Sequence, residues 1–328
     1  MSPIIIVVIA LALLYAFMNG INDSSSIVAT MISSRAMSPR AALGITAVAE
    51  FMGPFIFGIA VAKTIGRGIV NSDAISTQVI LAAILGAVLW SLLTWYLGLP
   101  SSSSHALIGG LIGAVSMGAG WRAIQVSGLA KVLIPLFVAP VIGFGIGFII
   151  LSIVMRLSWD ATPSINETFK RSQILTVIAL GLSHGSNDAP KTMGVITLAL
   201  ITEKYLNAFV VPTWVILLSA LAIAAGTAVG GQRLIRTVGG KFYKVEPIDA
   251  FSAQLSSALV MVTASLIGGP VSATQVISST IMGVGAAERP NKVRWKLAQD
   301  IGTTWLLTIP ATALVAALIY KLLTRSIQ

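Results

Sequence analysis

Apolar residues fill long charge-free runs at 2–22, 74–121, 132–155, 205–232, 250–287 and 301–320, and one membrane-spanning helix takes about 20 such residues. The runs 74–121 and 250–287 are long enough for more than one crossing. The pattern predicts an all-α polytopic membrane protein with about ten to twelve membrane-embedded helical segments. Polar positions interrupt it in two recurring ways. Asn19-Gly20-Ile21-Asn22-Asp23 and His184-Gly185-Ser186-Asn187-Asp188 each sit at the edge of an apolar run. Glycine and asparagine there predict broken helices at 19–26 and 184–191, with backbone carbonyls freed to bind an ion. Farther on, Pro100-Ser101-Ser102-Ser103-Ser104-His105 and Pro270-Val271-Ser272-Ala273-Thr274-Gln275 carry the proline and hydroxyl residues of helix starts. They predict re-entrant hairpins at about 98–118 and 268–286.

These interruptions recur in order. Asn22-Asp23 matches Asn187-Asp188 at an offset of 165, the proline-led strings match at 170, and so do Pro140 and Pro310. Lys63-Thr64-Ile65-Gly66 matches Arg236-Thr237-Val238-Gly239 at 173. The chain is therefore expected to be one membrane domain of two repeats, 1–155 and 172–328, joined by a polar linker at 156–171. Such repeats with interrupted helices in corresponding places mark secondary transporters, whose site lies where the halves meet. An odd number of crossings per repeat would invert one half relative to the other. The sequence alone leaves that parity open.

Composition sharpens the class. Apolar residues make up 56% and charged residues 10%, with a mean hydropathy of +0.92, against about 25% charged in a soluble domain. The net charge of +10 would suggest nucleic acid in a soluble protein. Here Lys and Arg fall in short connections such as 35–40, 63–67, 233–244 and 289–296, where they set topology and meet anionic lipid. No basic helix interleaved with aromatics is present, so nucleic acid is not an expected partner. The absence of cysteine excludes disulfides, thiolate metal sites and cysteine nucleophiles. The start of the chain has no basic n-region, so it reads as a retained first span of a multi-pass protein of the cell membrane.

Two chemistries face each other in these motifs. Asp23 and Asp188, with the carbonyls of Asn22 and Asn187, are hard oxygen ligands suited to a cation. Ser101, Ser102, Ser103, Ser104, Ser272 and Thr274 at helix starts offer hydroxyls, N–H groups and positive dipole ends suited to an oxyanion. Two like charges about 4 Å apart cost on the order of 4 kcal/mol at an effective dielectric of 20, and a cation between them reverses the sign. Cation-coupled uptake of an anion follows as the expectation. Glu50, inside an apolar span, must face protein or water, and His184 lies four residues before Asp188, placed to tune it. His105 and its counterpart Gln275 share a hydrogen-bonding task, and Lys191 either offsets the anion's charge or, the preferred reading, is an ordinary loop cation.

The duplicated Gly-x-Asn-Asp strings, followed by the two hydroxyl-rich hairpins, resemble the inorganic phosphate transporter (PiT) family of cation–phosphate symporters. The resemblance covers nearly the whole chain. It implies two inverted repeats, inorganic phosphate held between two re-entrant hairpins, sodium or proton coupling, and a homodimer. Residue by residue it implies cation coupling at Asp23 and Asp188, cation or phosphate contacts at Asn22 and Asn187, phosphate contacts at the hairpin hydroxyls and Gln275, and functional roles for Glu50 and His184. Ser and Thr near the aspartates favour sodium. The chain departs from the family at Ser24-Ser25-Ser26-Ile27, and Ser26 is paired with Lys191 in the other half. Rival readings are a sulfate or other oxyanion permease, a channel, and a hydrolase built on Ser103 or Ser104 with His105 and Asp23. The hydrolase fails because its base becomes Gln275 in the second repeat, and a repeated channel filter is lacking.

Overall fold

The computed structural model describes residues 1–70, 75–98, 101–230, 245–293 and 295–325. Leu99, Pro100, Arg294 and the basic stretch 233–244, including its repeat match at 236–239, lie outside the described residues. Eleven α-helices are described: α1 (Pro3–Ser33), α2 (Pro39–Phe57), the single turn α3 (Ala60–Lys63), α4 (Thr77–Leu97), α5 (Ser103–Gly118), α6 (Val126–Leu157), α7 (Ile165–Thr202), α8 (Thr213–Val229), α9 (Pro247–Leu266), α10 (Ala273–Glu288) and α11 (Trp295–Arg325). The all-α polytopic expectation holds. α1, α2, α4, α6 and the 302–325 part of α11 are each long and apolar enough to cross a membrane. α5 and α10, at 16 residues, span about 24 Å, short of a hydrocarbon core of about 30 Å. Each packs back on the helix before it, α4 or α9, and follows it through a left-handed glycine, Gly98 (φ 66°) or Gly268 (φ 73°).

The two motif helices are not broken. α1 runs helically through 19–26 and α7 through 184–191, which corrects the expectation of unwound segments there. The glycines serve close packing instead: a Cβ on Gly20 would lie 2.2 Å from the Ile223 carbonyl oxygen, and one on Gly185 would lie 2.0 Å from that of Glu50. The neighbouring hydroxyls turn back onto their own helix, Ser24 donating to the Ile21 carbonyl and Ser25 to that of Asn22. Backbone polar groups in lipid are satisfied within helices by default; the exception in these stretches is the Ser186 carbonyl, which Pro190 inside α7 leaves without its helical N–H donor.

The parity is also settled. Along α1, Asn19, Asp23 and Ser34 meet Asp188, His184 and Gln173 of α7 in turn. As one number rises the other falls, so the matching helices run antiparallel and the repeats are inverted. The halves are interleaved: α1 packs on α8 and α7 on α2, while α5 packs on α11 and α10 on α6.

Candidate functional site

At the centre, α1 and α7 cross and the N-termini of α5 and α10 approach each other. Ser104 Oγ donates to the Val271 carbonyl (2.9 Å), and its counterpart Thr274 donates to the Ser101 carbonyl (3.5 Å). His105 Nε2 lies 3.5 Å from Gln275 Nε2. The bundle thus brings together two helix N-termini, the positive ends of their dipoles, beside a cluster of carboxylates.

In that cluster Asp23, His184 and Asp188 are all buried, with ligand atoms within 4.8 Å of one another. Asn19 and His184 are two-fold counterparts, and each reaches the other repeat's aspartate. Asn19 Nδ2 donates to Asp188 Oδ2 (2.7 Å), and His184 Nε2 lies 3.4 Å from Asp23 Oδ2. The other ring nitrogen of His184 is 2.9 Å from Glu50 Oε1, while Thr227 donates to Glu50 Oε2 at 2.6 Å. Glu50 therefore enters the site through His184, from α2, the helix that packs against α7 at Gly53 and Gly185.

The two halves differ in what they leave over. Asp188 has both oxygens engaged, by Asn19 and by Lys191 Nζ at 2.7 Å. Asn187 donates to Ser265 Oγ and the Gly269 carbonyl and accepts from the Val271 N–H, fixing the loop ahead of α10. On α1, by contrast, Asn19 Oδ1, Asn22 Oδ1 and Asp23 Oδ1 are buried with no donor among the described residues. They occupy positions i, i+3 and i+4, one face of a continuous helix. Three buried oxygen acceptors without a donor, one of them a carboxylate, fit a hard cation.

The predicted anion ligands divide similarly. The Ser102 hydroxyl caps α5, accepting from the His105 N–H at 3.2 Å and lying 2.7 Å from His105 Nδ1, while the Ser103 carbonyl accepts from Tyr15. Ser101 donates to Thr94, and Ser272 pairs with Thr274 at 3.1 Å. Gln275 Oε1 has no partner among the described residues.

Lys191 is not a loop cation. It lies in α7, fully buried, three residues after Asp188. The expectation of a helix break at 184–191 hid it, because an i, i+3 pairing carries meaning only where the helix continues. Asn19 and Thr227 are further members of the cluster. The sign of Asn19's place was its alignment with His184.

The sequence model of the phosphate transporter family matches residues 19–168 and 158–316. A protein of Bacillus subtilis (strain 168) named "Probable low-affinity inorganic phosphate transporter" is 42% identical over 322 residues, covering 97% of this chain and 96% of that protein. One of the same name from Rhizobium meliloti (strain 1021) is 41% identical over 320 residues, with 97% and 96% covered. A solved structure described as "The sodium-dependent phosphate transporter" superposes with a TM-score of 0.89 at 24% identity, covering 98% of this chain and 99% of that one.

Proposed function

Because the chain belongs to the phosphate transporter family, we propose that it carries inorganic phosphate by symport with a cation, sodium, through alternating access to the α1–α7 crossing. Phosphate transport by a multi-pass integral membrane protein, rather than catalysis, is what membership establishes. The symport and its ion are the finer reading. One observation carries it: Asn19 Oδ1, Asn22 Oδ1 and Asp23 Oδ1 are buried acceptors with no donor among the described residues, beside two helix N-termini. A cation supplies what those oxygens lack, and its charge offsets the repulsion between a phosphate at the helix starts and the aspartates. The description of the similar solved structure as sodium-dependent agrees in kind. Phosphate with a proton left can also donate to an asparagine or aspartate oxygen, which sulfate cannot.

The test is radiolabelled phosphate uptake into liposomes holding the purified protein, with an inward sodium gradient and potassium at equal pH as control. Uptake above the potassium control, weakly competed by sulfate, is expected. Asp23→Asn should abolish the sodium dependence. Uptake driven only by an imposed proton gradient would replace sodium by the proton, and equal competition by sulfate would overturn the substrate selectivity.

A further inference from the structure

Among the described residues, Lys191 is the one buried amine in the cluster, and its surroundings look like the coordination shell of a metal ion. Its Nζ donates to Ser104 Oγ at 2.6 Å, to Asp188 Oδ1 at 2.7 Å and to the Val271 carbonyl at 2.8 Å. An ammonium has three N–H donors and no acceptor, and here each donor meets one oxygen: a hydroxyl, a carboxylate and a backbone carbonyl. That set is the oxygen chemistry of a hard cation.

The two-fold relation carries this shell to the other repeat. Asp188 corresponds to Asp23, Ser104 to Thr274 and Val271 to Ser101, so a carboxylate, a hydroxyl and a carbonyl recur there. Thr274 Oγ1 lies 3.5 Å from the Ser101 carbonyl, as Ser104 Oγ lies 2.9 Å from that of Val271. Among the described residues only the amine is missing from the copy, since the counterpart of Lys191 is Ser26, whose side chain is too short to take its place. The consequence shows in the partners: Asp188 has both oxygens engaged, whereas Asp23 Oδ1 has none among the described residues.

We propose that Lys191 is a tethered cation, holding permanently one of two symmetry-related cation positions, so that phosphate is coupled to mobile cations at the Asp23 position alone. The inference rests on the symport reading above and fixes its stoichiometry. A covalently held ammonium neutralises Asp188 in every conformation and is never released with the substrate. One mobile cation fewer is then needed per phosphate than a fully symmetric pair of sites would require. The carrier gives up driving force and gains tolerance of a low cation gradient.

Two substitutions move the count in opposite directions. Lys191→Asn removes the tethered charge and leaves oxygen ligands around Asp188. Ser26→Lys, the two-fold copy, supplies an ammonium next to Asp23. Initial rates of phosphate uptake into liposomes are measured against sodium at fixed pH, then against protons in potassium, for both variants and the wild type. For the ion that drives the wild type, the slope of log rate against log concentration should rise by about one in Lys191→Asn and fall by about one in Ser26→Lys. An unchanged slope in Lys191→Asn protein that melts cooperatively would overturn the inference and make Lys191 a structural ion pair. If that variant does not fold, an unchanged slope in Ser26→Lys overturns it instead. Wild-type uptake indifferent to every cation would defeat the symport reading itself, a result recognisable without either variant.

Discussion

The two ends of the α1–α7 pair, on either side of the carboxylate cluster, share a backbone and differ in chemistry. At one end Ser34 donates to Gln173 Oε1 (2.8 Å), Gln173 to the Pro247 carbonyl (3.2 Å), Thr176 to Gln254 Oε1 (2.6 Å) and Gln254 to Thr30 Oγ1 (2.9 Å). This ladder stands beneath an open cavity of about 560 Å³ whose lining includes Ser34, Arg35, Lys170 and Glu246. The two-fold counterparts of Thr30, Ser34, Gln173, Thr176 and Gln254 are Val195, Ala199, Val8, Leu11 and Ile84. All five belong to, or pack against, one apolar cluster. Water entering the ladder exchanges hydrogen bonds, at a net cost of about 0.5–1.5 kcal/mol each. Water entering the apolar end must expose side chains whose burial contributes about 1.5–3 kcal/mol apiece. Inverted repeats make the two ends equivalent in backbone, and the side chains make one of them the easier to hydrate.

The largest expected effect comes from putting the ladder's chemistry at the dry end. Ile84→Gln, the two-fold mirror of Gln254, loses the burial of an isoleucine and places an amide among apolar neighbours. About 3–6 kcal/mol of destabilisation is expected from the lost transfer and the unsatisfied amide together. Thermal unfolding of the purified protein in detergent reads it. A loss no greater than that of the reciprocal change below would show that the dry end already admits water.

The reciprocal change is smaller. Gln254→Leu removes one donor and one acceptor from the ladder and leaves the hydroxyls of Thr30 and Thr176 to find other partners. Thr176 already lies within reach of the Gln173 carbonyl, at 3.3 Å, so a cost of about 1–3 kcal/mol is expected. Because leucine would make the wet end resemble the dry one, phosphate uptake should slow by more than the stability loss explains. Uptake at the wild-type rate would detach the ladder from transport.

Much of this architecture could be read from the sequence, and the parts that could not share a cause. Charge-free runs mark the spans, and offsets of 165 and 170 pair Asp23 with Asp188 and Ser104 with Thr274. The hydroxyl-rich strings marked the starts of α5 and α10. Gly20 and Gly185 misled because a glycine that breaks a helix and one that admits a neighbouring backbone look alike in one dimension, and only the packed α8 and α2 tell them apart. Lys191 was misread with them. The ladder escaped notice because Gln173 and Gln254 lie 81 positions apart and join through Thr176 and Thr30 only when α1, α7 and α9 meet. His184 was legible as a modifier of Asp188, while its nearer approach to Glu50 depends on the α2–α7 crossing.

The smallest effect discriminates the two ends most directly. The chain contains no cysteine, so a single introduced thiol is the only one to react. Thr30→Cys and Val195→Cys occupy two-fold related positions, both buried, one in the ladder and one in the apolar cluster. A thiol at 30 still accepts weakly from Gln254, so the ladder is perturbed little. Labelling by a membrane-impermeant thiol reagent, applied to both sides of proteoliposomes, then tracks the fraction of time each position is open to water. Position 30 should react at least about tenfold faster, which corresponds to a difference in opening of only about 1.4 kcal/mol. Saturating phosphate should alter the rate at 30 more than the rate at 195, since the end that opens most readily is the one through which substrate and solvent compete. Equal rates at the two positions would mean that the inverted backbone, and not the side chains lining it, decides how each exit opens.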